Sequence, residues 1–147
     1  VLSRARARLE EAARAQRDPR RSVAAMIETY LETVSRSRNV FLFVNRPQQS
    51  ASEGNLRTFV SQVDVLVAEI LAPLVSPETP PGLVATWATA LVGAARAAAD
   101  RWIATPEEER VPLADLAADL TVLVWDGTHA LITSTHREAT SRAVAPA

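Results

Sequence analysis

The chain has 147 residues, 48% apolar and 22% charged, a balance that suits a single globular domain and excludes an extended disordered segment. It contains no cysteine, which excludes disulfides and thiolate metal sites, and its net charge is -1, with 16 basic residues, all arginine, against 17 acids. The near-neutral total hides an asymmetry: residues 1–21 hold seven arginines against Glu10, Glu11 and Asp18, a net +4, so the remainder is net -5.

A basic N-terminal end lies naturally toward nucleic acid, although a helix with a solvated Arg/Glu face accounts for the same charges. Only four glycines are present, and Ala, Leu, Arg and Glu dominate, which favours helix throughout. No uninterrupted apolar run approaches the ~20 residues that span a bilayer, and the start lacks the apolar core of a signal peptide. A cytoplasmic protein without a membrane partner is therefore expected.

In chain order, residues 1–16 read as a helix already under way, with Arg6–Glu10 and Arg8–Glu11 at pairing distance. Asp18-Pro19 is a helix start, a capping acceptor followed by proline in the first turn. The helix it opens carries Val23, Met26, Ile27, Tyr30, Leu31 and Val34 at spacings of three and four and is expected to end within 35–38. The run 40–44, Val-Phe-Leu-Phe-Val, fits a buried strand or a short buried helix; helix is expected, because a lone strand has nothing to pair with. Residues 48–55 read as a loop.

From Leu56 to Leu74 a broad apolar pattern predicts a helix that stops at Ser76-Pro77. The next helix, 83–104, has two faces: Val84, Trp87, Leu91, Ala94, Ala98 and Trp102 form a large stripe, and Ala90, Gly93 and Ala97 a small one. Thr105-Pro106-Glu107-Glu108 has the form of a capping box, and Pro112 launches a last helix over 113–140. That helix also carries two stripes, Leu116, Leu120, Leu123 and Gly127 on one side, and Val122, Trp125 and Ile132 on another. A helix with two apolar faces needs two partners, and in a chain this short a second copy of itself covers the second face most easily.

This order of elements, with Gly93 to Trp102 followed by Trp125-Asp126-Gly127, resembles the C-terminal domain of the TetR family of bacterial transcriptional regulators over nearly the whole chain. The resemblance implies an all-α antiparallel helical bundle, a homodimer joined by a four-helix bundle of the last two long helices, and a cavity in each subunit for a small apolar effector. It also implies that residues 1–147 form the effector-binding and dimerisation domain. Residues 1–17 are then the remnant of a helix connecting to an N-terminal helix-turn-helix domain, missing here, through which operator DNA would be bound.

The stripes of three helices converge on a candidate effector pocket: Met26, Tyr30 and Val34; Phe59, Val63 and Val67; Trp87 and Leu91. Core packing accounts for any one of them. Three aromatics and a methionine facing one centre are also what apolar ligand sites are built from. The Tyr30 hydroxyl, the Trp87 indole and Gln62 are the polar groups expected to orient a ligand. The expected dimer seam comprises Ala90, Gly93 and Ala97 with Val122, Trp125, His129 and Ile132.

No catalytic constellation is found: the sequence has no phosphate-binding glycine loop and no nucleophile elbow. His129 and His136 lie about 10.5 Å apart along one helix, too far for one metal. Glu28, Glu32 and Arg36 read as a solvated face. Neither enzyme activity nor any cofactor or metal is expected. A ligand-responsive regulator, acting as a repressor, is the leading reading; an all-helical dimeric interaction module without a small-molecule ligand is the alternative.

Overall fold

The computed structural model describes residues 2–36 and 50–144. Within them the chain is all helical: α1 (Leu2–Arg14), α2 (Pro19–Arg36), α3 (Ser50–Leu71), α4 (Pro81–Ala104) and α5 (Leu113–Val144), with one 3-10 turn, Glu107–Glu109, before α5. The central element is α2, which packs along α1 and α5 and also meets α4, whereas α3 lies mainly against α4. The last two helices touch each other little.

Local chemistry accounts for the first hairpin. Ala5, Leu9 and Ala13, one turn apart, are the buried stripe of α1. At the turn, Asp18 Oδ1 accepts the Arg20 N–H at 3.2 Å, and Pro19 occupies the first position of α2. The buried Ser22 hydroxyl donates to the Ala13 carbonyl at 3.0 Å, which satisfies it and ties the two helices together. Arg6 pairs with Glu10 at 2.6 Å as the spacing predicts. Arg8 does not turn to Glu11; it crosses to Glu32 on α2, at 3.3 Å, and Glu32 also meets Arg36 at 3.3 Å. The antiparallel hairpin brings a carboxylate already flanked by one cation opposite a second.

The expected short helix over 40–44 lies outside the described residues. Residues 50–55, expected within a loop, form the first turns of α3 instead. Residues 50–53, Ser-Ala-Ser-Glu, contain no proline that would stop a helix nucleated by the apolar pattern from Leu56, so the helix extends back through them. The same helix stops at Leu71 rather than at Ser76, because Pro73 disfavours helical geometry in the residue before it and cannot donate its own N–H. The chain then turns back onto α5. The buried Ser76 donates its N–H to Thr135 Oγ1 at 3.1 Å, and His136 Nε2 lies 2.9 Å from the Leu74 carbonyl oxygen.

By length and composition α4 is the one helix among the described residues able to cross a membrane, with a mean hydropathy of 1.3, and only 17% of that stretch is buried within the chain. Thr86, Thr89 and Gly93 interrupt its apolar residues, so the stretch does not show as an unbroken apolar run. The corner after α4 is held by Trp102, whose indole donates to the Val111 carbonyl at 2.8 Å. Arg110 stacks 4.9 Å over that ring and donates to the Ile103 and Thr105 carbonyls at 3.2 and 2.7 Å. The capping box expected at Thr105 is not made: its hydroxyl donates back to the Arg101 carbonyl, and only a three-residue turn follows.

In α5 the core face is Ala117, Leu120, Thr121, Val124 and Thr128. This corrects the expected stripe, for Leu123 is 69% exposed and Gly127 is also exposed. Two threonines take the inward positions without penalty because each hydroxyl donates to the carbonyl four residues earlier, Thr121 to Ala117 and Thr128 to Val124, both at 2.7 Å.

Candidate functional site

Between the buried clusters a cavity of about 90 Å³ remains, walled by residues from all five helices and apolar almost throughout. The helix α2 supplies its floor with Val23, Met26, Ile27 and Tyr30; α3 supplies Phe59, Val63 and Val67; α4 supplies Leu91, Val92 and Arg96. Two elements close it: α5 with Val124 and Thr128, and α1 with Leu9. Apolar cavities of about 150 Å³ hold a benzene-sized guest, and drug-sized ligands need roughly 300 Å³ or more. The space as it stands therefore suits a small body, and growth falls to Met26, an unbranched chain with several rotatable bonds.

Of the nine residues expected at the pocket, Met26, Tyr30, Phe59, Val63, Val67 and Leu91 are brought together around it. The other three lie elsewhere. Val34 is fully buried two turns along α2 from Ile27, packed with Trp102 and Ile103. Gln62 is exposed, since its neighbour Val63 takes the inward position on α3. Trp87 covers the cluster of Leu71, Val75, Val84 and Ala88 at the α3–α4 end. Sequence reasoning missed Leu9, although its spacing from Ala5 and Ala13 marks the inward stripe of α1. It also missed Arg96, which reads as a surface residue, and Thr128, hidden by its polar type.

The polar features of the cavity are few. The Thr128 hydroxyl is occupied by the Val124 carbonyl. Tyr30 is largely buried, and burial above all, with the nearby charge of Asp100 adding to it and that of Arg96 opposing it, pushes its phenol well above the usual tyrosine range. It is a neutral hydrogen-bond donor at physiological pH. Arg96 lines the cavity and pairs with Asp100 at 4.0 Å. Among the described residues no three of His, Asp and Glu gather closely enough to hold a metal ion.

A second feature is the outer face of α4 and α5. Ala90, Gly93 and Ala97 are exposed, as are His129 and Val122, the latter at 47%. Trp125 is half-buried, its ring 6.4 Å from that of His129 and tilted 45° to it. Ile132 is half-buried against the Leu71 and Val75 cluster, because the segment after α3 folds back over it. A Cβ added at Gly93 or at Gly127 would meet no atom of the described residues within 4 Å, so nothing among them requires glycine at either place.

Compared with known families, residues 19–127 match the one described as "Tetracyclin repressor-like, C-terminal domain". The matched span covers every residue lining the cavity except Leu9 and Thr128. Among curated proteins and among solved structures, no match to the chain is found.

Proposed function

Because this chain belongs to the Tetracyclin repressor-like C-terminal domains, a regulatory rather than catalytic family, we propose that it is the effector-sensing and dimerising part of a ligand-responsive transcriptional repressor. The observation that carries the reading is the apolar cavity walled by all five helices, α1 included. Leu9 is 3% exposed and stands between two alanines, so among the described side chains it is the one large residue α1 contributes to the shared core. An effector that fills the cavity must touch Leu9 or displace it. Its differential affinity for two positions of α1 then sets the shift in population. With a helix-turn-helix domain preceding α1, such a shift changes the separation of two DNA-reading units bound to matching half-sites.

Dimerisation through α4 and α5 is supported by the uncovered small-residue face of α4 and by the exposed Val122, Leu123 and Leu131 of α5. The glycines at 93 and 127 support it further. Glycine inside a helix costs roughly 1 kcal/mol relative to alanine, and close approach of a second copy supplies the reason that one chain does not. The regulator is expected in the cytoplasm.

The test is thermal denaturation of the chain with a panel of small apolar compounds. At a hundredfold excess over Kd, binding stabilises by about 2.7 kcal/mol, a rise in Tm of roughly 5–10 °C for a chain of this size. A chemically diverse panel that leaves Tm unchanged at saturating concentration refutes effector binding and favours a dimeric interaction module.

A further inference from the structure

The reading of the cavity as an effector site leaves open what kind of molecule it takes, and the wall is not uniform. Among the described lining residues Arg96 alone carries a charge. Its side chain is 41% exposed, so its methylene stem runs along the apolar wall while its guanidinium reaches the rim, in contact with water. Its ion pair with Asp100 stands at 4.0 Å, the outer limit of such a contact, and Asp100 is itself 38% exposed; pairs of this kind are weak and screened. A guanidinium has five N–H donors, and one loose pair leaves most of them for another acceptor. Tyr30, on the facing helix, lines the same cavity and lies near enough to feel the charges of both Arg96 and Asp100.

Resting on the effector-site reading, we propose that the ligand is an amphipathic monocarboxylic acid, with a small apolar body in the cavity and its carboxylate at the rim against Arg96. The planar fork of arginine matches a carboxylate in two-point geometry, and a head group at the rim keeps part of its hydration. The interior accepts the body because it presents almost no polar atoms. Arg96 is then the specificity-determining residue: it selects the charge of the head, while Met26 and Phe59 limit the size of the body.

The experiment uses the full chain and three unbranched probes of six carbons each: hexanoate, 1-hexanol and hexylamine. Affinities are measured by calorimetric titration for the unaltered chain and for Arg96→Gln, Arg96→Lys and the exposed control Arg101→Gln. Circular dichroism melts confirm that each variant folds. The unaltered chain and Arg101→Gln are expected to bind hexanoate at least about 10-fold more tightly than 1-hexanol, the size of one charge-assisted hydrogen bond. Arg96→Gln is expected to lose that preference and still bind the alcohol, with Arg96→Lys in between. Equal or tighter binding of 1-hexanol or hexylamine by the unaltered chain overturns the carboxylate proposal and leaves the cavity reading intact. So does a preference for hexanoate that survives in Arg96→Gln. Failure of all three probes to bind overturns the cavity reading itself and this proposal with it.

Discussion

Gly93→Leu separates two accounts of the outer face of α4, because its sign differs between them. Within one chain, a side chain at this position has open space, with no atom within 4 Å of the added Cβ. Leucine is a strong helix former and glycine a poor one, so a lone subunit gains about 0.8 kcal/mol. At a seam between two copies the same leucine is forced into a close approach. Overpacking costs about 1–3 kcal/mol for each inserted side chain, and a twofold interface counts the change twice, giving roughly 2–6 kcal/mol and a dimer at least about 30-fold weaker. Sedimentation equilibrium over a dilution series reads the association, and urea denaturation at the lowest concentration reads the subunit alone. The expected outcome is a dissociated chain whose subunit is no less stable than before. A variant that dimerises with unaltered affinity refutes the placement of this face at the seam.

Two further outcomes follow from named contacts. A phenol whose folded pKa lies above its ordinary value of 10.0 contributes its full stability below about pH 10 and loses it as the pH climbs beyond, by about 1.4 kcal/mol per unit. Tyr30→Phe is therefore expected to flatten the alkaline loss of stability seen by urea denaturation above about pH 10; an unchanged slope places the alkaline loss in other groups. Trp102→Phe removes the donor to the Val111 carbonyl and weakens the stack under Arg110. A loss of about 1–2 kcal/mol, or roughly 2–8 °C in Tm by scanning calorimetry, is expected, and an unaltered Tm shows that the corner is held by other contacts.

What was legible in the residues is what local rules control. Asp18-Pro19 marks the start of α2, and the three- and four-residue spacings of Met26, Tyr30, Phe59, Val63 and Val67 put them on faces that do meet around the cavity. Position along a helix was harder than face: Val34 and Trp87 lie on apolar stripes, as read, yet each serves a different cluster at one end of the bundle. Periodicity says which side of a helix is buried, but the crossing geometry of the bundle decides what it meets. The inward face of α5 does not follow from apolar type alone. Thr121 and Thr128 satisfy their hydroxyls on their own helix and pack as small branched side chains, while Leu123 stands outside. Arg96 escaped notice for the opposite reason, since only the stem of that charged residue belongs to the interior.

The seat of α1 has a mechanical consequence. A helix held by a row of large side chains rests on a plane and resists rocking, whereas the buried stripe of α1 has alanines one turn to either side of Leu9 and is tied at Ala13 by the Ser22 hydroxyl. The tie at Ala13 thus acts as a pivot near the C-terminal end of a thirteen-residue rod, and Leu9 is the point on it that faces the cavity. Eleven residues from Ala13 to Leu2 give a lever arm of about 16 Å, so a tilt of about 10° moves the Leu2 end by about 3 Å. Under the proposed function, a guest that presses on Leu9, about 6 Å along the helix from that pivot, is geared into a displacement of the far end nearly three times its own push.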